Sequence, residues 1–146
     1  MRRHAMPRRK PVRFTKKVAE FVQWERVCRV ATSGAAGIPH VVPVCHALSG
    51  GKVIIGSGDN ARKVKNIAEN PRVTVVVDAY SDAWSTLRGV MIQGRARVIE
   101  RGPRFRRGRD LLYRKYPQYP REAALSPSDS VIVEITPTRV FSWGFE

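Results

Sequence analysis

Residues 38–57 read IPHVVPVCHAL, SGG and KVIIGS in succession, and this stretch decides the fold. The run from Ile38 to Leu48 is almost entirely apolar, which predicts a strand that is buried on both faces. Ser49-Gly50-Gly51 predicts a tight hairpin turn into a second strand, Lys52 to Ser57. Two apolar strands joined by so short a turn pair antiparallel, so the sheet that they begin is antiparallel.

The chain on either side of this hairpin supplies more strands, with short helices between them. Towards the N-terminus, the hydrophobic periodicity predicts a helix over residues 14–25, capped by Thr15, and a strand over 27–32. Towards the C-terminus, the predicted elements are a helix over 61–69, strands over 72–79 and 88–100, a helix over 103–116, and strands over 131–136 and 139–143. This order predicts a mainly β (α+β) fold, an antiparallel barrel of six to seven strands with short flanking helices. A Rossmann fold is excluded because strands and helices do not alternate and no glycine-rich first turn is present.

The 146 residues suffice for one domain, and their net charge of +15 is unevenly distributed. Residues 1–17 contain eight Lys or Arg and no acid, and residues 101–116 contain seven against one acid. We expect residues 1–13 to form a basic flexible leader and residues 14–146 to form the folded domain. Basic segments can bind nucleic acid through counterion release. No nucleic-acid-binding motif accompanies these charges, so we favour solvated segments over such an interface.

The cysteines and the hydropathy pattern indicate the compartment. Cys28 and Cys45 lie within apolar runs, without partners at metal-ligand spacing. They predict buried thiols, no disulfide framework and no metal site. No apolar run approaches the roughly 20 residues of a membrane span, and no apolar segment follows the basic N-terminus as it would in a signal peptide. We expect a cytoplasmic protein without a membrane partner.

The segment 56–66 reads GSGDNARKVKN and breaks a rule of helix electrostatics. The N-terminus of a helix carries positive partial charge, so acidic side chains are favoured in the first turn. Here that turn contains Arg62 and Lys63, after a predicted cap at Asn60 or Asp59. The alternative to a functional role is that Asp59 partly balances these cations.

A bound phosphate would make the same charges favourable. It would accept hydrogen bonds from the free backbone N–H groups of the helix start and from both cations. Ser57, at the end of the preceding strand, could donate its hydroxyl. Gly56 and Gly58 could let the backbone approach the ligand closely. These residues predict a phosphate site at the start of helix 61–69.

Pro43 lies inside the predicted strand 38–48, where it cannot donate to a central ladder. It therefore predicts an edge, a bulge or a break, with carbonyls free to face a flat heteroaromatic ring, although a plain edge strand explains it as well. His40 and His46 are predicted to be rim or interface residues. No catalytic triad or carboxylate pair is evident, so the reactive group of an enzyme would be a cofactor.

Several motifs together resemble the pyridoxamine 5′-phosphate oxidase-like, FMN-binding split-barrel family. They occur in order over residues 14–146 and are Val30-Ala31-Thr32, Gly37-Ile38-Pro39-His40, Pro43-Val44, Arg62-Lys63-Val64-Lys65-Asn66-Ile67, Asn70-Pro71-Arg72-Val73 and Gly94-Arg95-Ala96-Arg97-Val98. The runs 113–119 and 139–143 are similar to the deazaflavin-dependent branch of the same superfamily. The resemblance implies a split barrel that forms a homodimer, with two cofactor sites at the subunit interface.

The resemblance also implies which residues bind the cofactor. The strand that lines the isoalloxazine ring corresponds to Val41, Val42, Pro43, Val44, Cys45 and His46. The phosphate is bound by the strand end at Gly56 and Ser57 and by the helix start at Arg62 and Lys63. Gly89 faces the ring from across the barrel, and Trp143 covers part of the site.

These observations predict an FMN-binding oxidoreductase that transfers hydride through the flavin to or from an unidentified substrate. One alternative is a reductase dependent on the deazaflavin coenzyme F-420, whose acidic tail would suit Lys65. Another is a non-enzymatic flavin-binding or haem-binding protein that uses His40 or His46. The true oxidase has Arg at the position of Val41 and Lys at that of His46, so its own activity is not predicted here.

Overall fold

The computed structural model describes residues 12–146, so most of the predicted leader lies outside the described residues. The described elements are α1 (Lys16–Trp24), β1 (Cys28–Ser33), β2 (Pro39–Val44), β3 (Ala47–Ser49), β4 (Lys52–Gly58), α2 (Arg62–Glu69), β5 (Arg72–Ala79), β6 (Arg88–Ile99), α3 (Pro103–Lys115), α4 (Tyr119–Glu122) and β7 (Ser130–Trp143). A short 3-10 helix, Trp84–Thr86, interrupts the predicted loop before β6. Within residues 12–146, no helix is both long and apolar enough to cross a membrane.

The strands form one antiparallel sheet in the order β2-β1-β5-β6-β7-β4-β3. β2 and β3 follow each other in the chain, yet they lie at opposite edges of this sheet. The sheet is therefore curved but not closed, and the chain crosses the gap between its edges. This arrangement confirms the predicted mainly β, antiparallel split barrel and gives it seven strands.

The prediction of one strand over residues 38–48 is wrong. That run is divided into β2 and β3, with Cys45 and His46 outside both strands. Nor is β2 buried on both faces, because its residues alternate between exposed and half-buried. Pro43 predicts an irregularity in this run, but the break lies at Cys45-His46, where no residue type disfavours a strand.

Hydrogen bonds to distant elements fix the crossing segment Cys45-His46. The imidazole Nε2–H of His46 donates to the carbonyl of Val22 in α1 at 2.6 Å, which assigns the proton to that nitrogen. The backbone N–H of His46 donates to the Tyr116 hydroxyl at 3.0 Å. That hydroxyl also lies 2.8 Å from the carbonyl of Arg26. His46 is fully buried, which corrects the expectation that it lies at a rim or an interface.

Two apolar clusters hold the helices against the sheet. The larger one joins the inner face of the barrel to α1 and α2, with Val22, Val75 and Ile92 at its centre. The smaller one packs α3 on β4 and β7 through Phe105 and Leu112. The alternate residues of β6 from Val90 to Ala96 are buried on one face of the sheet. Cys28 is buried as predicted, and Cys45 is half-buried.

The C-terminal strand also differs from its prediction. Residues 130–143 form the single strand β7, where two strands were predicted on either side of Pro137. Pro137 stays within the strand because a bulge lies beside it. Gly94 is paired with Pro137 while Gln93 is paired with Arg139, so Thr138 is the extra residue. The bulge absorbs the proline without ending the strand.

Candidate functional site

The start of α2 is the place where the charge pattern predicts a phosphate site. Thr15 caps α1 as expected, by accepting a hydrogen bond from the N–H of Val18. By contrast, the N-cap of α2 is Ala61, and no side chain caps that helix. The predicted cap at Asn60 or Asp59 is therefore wrong. The first backbone N–H groups of α2 therefore lack the side-chain oxygen acceptor that a cap normally supplies.

Two cations lie in this uncapped first turn. Arg62 is exposed and Lys63 is half-buried. In the described part of the chain, no carboxylate lies within 4.0 Å of either cation. Burial lowers the pKa of Lys63 from its ordinary value. Free N–H groups, two unpaired cations and no acid in the first turn together form an anion-binding environment.

The strand end beside α2 contributes one hydroxyl and one open backbone position. Ser57 is buried, and its Oγ donates to the carbonyl of Gly58 at 2.9 Å. A Cβ at Gly58 would meet nothing within 4 Å, so a ligand can approach the backbone there. A Cβ at Gly56 would lie 2.8 Å from the Leu125 side chain, so this glycine lets the loop after α4 pack on β4. Its predicted contact with a ligand stays a prediction.

His40 also lies close to α2, although sequence reasoning placed it at a rim. It is directly opposite Thr32 in the β1–β2 ladder. The hydroxyl of Thr32 accepts a hydrogen bond from the amide of Asn66, one turn into α2, at 3.1 Å. The Nδ1 atom of His40 is buried without a hydrogen-bond partner among the described residues. The sequence could not predict this position of His40, because it does not define the register in which β2 pairs with β1.

The predicted ring-lining segment, residues 41–46, is divided by the fold. Val42 and Val44 point into the barrel core, while Val41 is 64% exposed and Pro43 lies on the same outer side. β2 is an edge strand, so alternate backbone groups along it have no ladder partner. Pro43 is thus placed at an edge, one of the three positions that its sequence predicted. His46 turns away into the core, as described above.

Gly89 and Trp143 are neighbours at the other end of β6. They are paired in the β6–β7 ladder, and a Cβ at Gly89 would lie 2.0 Å from an indole carbon of Trp143. The indole therefore lies flat over the glycine backbone, with 43% of Trp143 exposed. The absence of a side chain at Gly89 is what allows this contact.

Within one chain, the start of α2 and the Gly89–Trp143 pair lie at different places along the sheet. Ser57 is paired with Val131 near the start of β7, whereas Gly89 is paired with Trp143 at its end. These two positions are separated by about 40 Å of extended strand. The start of α2 and the Gly89–Trp143 pair are therefore two separate groups within a single chain.

Both groups of residues lie within a region that matches a known protein family. The sequence pattern described as "Pyridoxamine 5′-phosphate oxidase" matches residues 14–144. The chain belongs to the pyridoxamine 5′-phosphate oxidase family. The match covers both the α2 start and the Gly89–Trp143 pair, so both lie within the part of the chain that defines membership of the family.

Three members or structural neighbours of this family are informative. The chain is 32% identical to the 5a,11a-dehydrotetracycline/5a,11a-dehydrooxytetracycline reductase of Streptomyces rimosus, over 91% of this chain and 84% of that protein. It is 25% identical to a conserved hypothetical protein of Mycobacterium tuberculosis, with a TM-score of 0.77 over 95% of this chain and 89% of that one. An F420 reductase has a TM-score of 0.67 at 20% identity, over 84% and 94%, and so shows the fold alone.

A substitution at Gly89 tests the role of the contact with Trp143. We expect Gly89→Ala to displace the indole, because the new Cβ would overlap it. If Trp143 covers a bound cofactor, affinity for that cofactor falls while the fold is retained. Gly51→Ala is the matched control, since a Cβ at Gly51 meets nothing within 4 Å. Cofactor titration of the two variants makes the comparison. Equal affinities would place Trp143 outside the site.

Proposed function

We propose that this chain is a flavin-dependent reductase that binds FMN by its phosphate at the start of α2. The observation that carries the proposal is the uncapped first turn of α2, which has two cations and no acid. The cations at this helix start interact unfavourably with its dipole unless an anion is present. The reductase from Streptomyces rimosus supports the reaction class, since it is 32% identical over 138 residues.

The residues at the α2 start fit a phosphate group. The guanidinium of Arg62 can bind two oxygens, and the ammonium of Lys63 can bind a third. Because Lys63 is half-buried, its bonds to an anion are less screened by solvent than those of a surface lysine. Backbone N–H groups supply further donors, and the Ser57 hydroxyl would add one by turning from the Gly58 carbonyl to the phosphate. The orphan Nδ1 atom of His40 is a further group available to a ligand.

The rest of a bound flavin would extend from this phosphate to the outer edge of β2. Unpaired backbone groups of Val41 and Pro43 could then meet the polar edge of the isoalloxazine ring, as the family resemblance implies. When bound, the flavin supplies hydride transfer. The protein orients the ring, holds the phosphate and excludes water. No side chain near this edge is assigned as an acid or a base.

The deazaflavin coenzyme F-420 is the second candidate. It also carries a phosphate group, followed by a longer acidic tail, and the exposed Lys65 lies two residues beyond Lys63. The structural likeness to an F420 reductase favours this candidate at the level of the fold. A haem-binding role through His46 has less support, because His46 is fully buried and its Nε2 is bonded to the Val22 carbonyl.

We also propose that the chain is a homodimer. The α2 start and the Gly89–Trp143 pair are far apart within one sheet, so a site that uses both needs a second subunit. The outer side of β2 and the end of β7 present apolar side chains that suit such an interface. The exposed ones are Ile38, Val41, Phe141 and Trp143. The expected cytoplasmic location stays a prediction.

The experiment that tests the function begins with the visible absorption spectrum of the purified protein. Mass spectrometry of the ligand released on denaturation then identifies FMN or coenzyme F-420. Light scattering of the same sample should give twice the 16.5 kDa of one chain. A protein that is colourless and takes up neither cofactor when it is supplied would overturn the cofactor proposal. A monomer that still binds its cofactor would overturn only the proposed dimer.

A further inference from the structure

A cleft lies on the outer face of the sheet, away from the first turn of α2. It has a volume of about 720 Å³ and is open to solvent. Its walls come from the ends of β1 and β5 and from the middle of β6 and β7. Arg72 follows the C-terminus of α2, and the proposed phosphate site is at the N-terminus of that helix, so this arginine and that site are separated by the length of α2.

Three arginines line this cleft without a carboxylate partner. They are Arg72, Arg95 and Arg139, and all three are exposed. Among residues 12–146, no acidic oxygen lies within 4.0 Å of any of them. By contrast, Arg29 on the same outer face donates to Asp78 at 2.8 Å. The cleft thus concentrates positive charge that the protein itself does not neutralise.

The sheet register places two of these arginines in direct opposition. Arg72 on β5 is paired with Arg95 on β6. Side chains opposite each other on antiparallel strands have Cβ atoms roughly 5 Å apart, and like charges there are destabilising. An anion between the two guanidinium groups would convert this repulsion into two charge-assisted hydrogen-bonded pairs.

The third arginine reaches the cleft because of the bulge in β7. Thr138 is the extra residue of this bulge, and its hydroxyl donates to the carbonyl of Gln93 at 3.2 Å. The bulge brings Arg139 opposite Gln93, so that Arg139 lies on the face that Gln93 and Arg95 share. The Arg139 guanidinium is held over the Phe141 ring, 4.9 Å from its centroid. Bulges of this kind often re-aim a side chain beside a binding site.

Polar groups between the arginines complete a possible binding surface. Asn70 braces the wall of the cleft, because its amide donates to the Ser33 hydroxyl and its oxygen accepts from the N–H of Arg72. Thr74 and Gln93 form a cross-strand pair on its floor. This cleft, with three arginines and several further donors, suits a small molecule that carries more than one negative charge.

We propose that this cleft is a second binding site, for a compact ligand that carries at least two anionic oxygen groups. Phosphates and clustered carboxylates share this chemistry. The site does not depend on the proposed cofactor or on the α2 cations. Its basis is the opposed pair Arg72 and Arg95 together with the re-aimed Arg139, all without acidic partners.

The test uses the full chain and two probes, pyrophosphate and citrate, each titrated calorimetrically at fixed ionic strength. We expect at least one probe to bind, and the tighter probe identifies the source as phosphate or carboxylate. Arg72→Gln and Arg95→Gln should each weaken binding roughly tenfold or more, as expected for a lost charge-assisted bond. The control Arg101→Ala with Arg106→Ala removes two exposed charges elsewhere and should keep its affinity for the probe. In Arg62→Ala with Lys63→Ala, any probe bound at the start of α2 is lost, and the binding that remains should still depend on Arg72 and Arg95.

Thermal unfolding gives a second measurement that misfolding cannot imitate. Without ligand, Arg95→Gln should raise the melting temperature, because it removes the repulsion across the ladder. When the probe is added, the melting temperature of the wild type should rise, and that of Arg95→Gln should not. The proposal is overturned if neither probe binds, or if the cleft variants bind normally. Equal losses in the Arg101 and Arg106 control would also overturn it, since they would show diffuse attraction only.

Discussion

Replacing Arg62 and Lys63 together with alanine should weaken cofactor binding by at least about two orders of magnitude. Each cation is expected to make a charge-assisted hydrogen bond to the phosphate, and such bonds contribute roughly 1.5–3 kcal/mol each. Two lost bonds amount to about 3 kcal/mol or more, which corresponds to a change of more than 100-fold in Kd. The effect should be similar for FMN and for the deazaflavin, because both present a phosphate.

The same double variant should be folded, and more stable without cofactor than the wild type. Two unfavourable charges are then removed from the positive end of α2. Each contributes a few tenths of a kcal/mol up to about 1 kcal/mol. Opposite signs for stability and affinity distinguish a ligand-binding role from a structural one. Cofactor titration and chemical denaturation of the apoprotein measure the two quantities.

Arg106→Ala with Arg107→Ala is the matched control. Both side chains are exposed on α3, so this variant loses the same net charge at a position away from the α2 start. It should bind cofactor as the wild type does. An unchanged affinity in the Arg62 and Lys63 variant would show that the phosphate is bound elsewhere. Equal losses in both variants would indicate a general effect of net charge.

Acid should destabilise the protein through His46. Burial lowers the pKa of His46 from 6.5 to about 4, with the nearby cations Lys115 and Arg26 acting in the same direction and the bond to Val22 acting against them. Between these two values the unfolded chain binds a proton that the folded chain does not. Stability is therefore highest above pH 6.5 and is lost as the pH falls towards 4. The loss from this one residue is at most about 3 kcal/mol, at 1.36 kcal/mol per pKa unit.

Two substitutions isolate this contribution from that of the carboxylates. His46→Gln can still donate to the Val22 carbonyl but cannot titrate, and His46→Phe can do neither. Relative to each variant, the wild type should lose stability as the pH falls from 6.5 to 4. The differences should be constant from pH 7 to 8. Urea denaturation at each pH measures them. Parallel curves for wild type and His46→Gln across the acid range would contradict the assignment.

Local patterns were sufficient to predict most of the secondary structure. The alternation in β6, the Thr15 cap and the short turn at Ser49-Gly50-Gly51 all depend on neighbours in sequence. They confirm that an antiparallel barrel can be predicted from periodicity and turns alone. The cations at the α2 start were also visible, because the rule that they break concerns a single helical turn.

Other features depend on residues far apart in the chain, which no local pattern reveals. The break at Cys45-His46 is fixed by Val22 and Tyr116, which lie 24 and 70 residues from His46. The cleft arginines meet only through the strand register. The sequence predicts two strands on either side of Pro137, because the compensating bulge at Thr138 has no sequence signature. In each case, tertiary contacts outweigh the local preference.

The two-residue crossing between β2 and β3 also has a consequence for how the protein opens. Edge strands are usually the first to fray, because only one neighbour holds them. Here the two edges are joined by a short linker that is pinned to α1 and α3, so that one edge cannot peel off without pulling on the other. The amide of His46 should therefore exchange with solvent only when the whole barrel comes apart. Slow amide exchange at His46 would show that side-chain hydrogen bonds can hold the two edges of a barrel together although no ladder joins those edges.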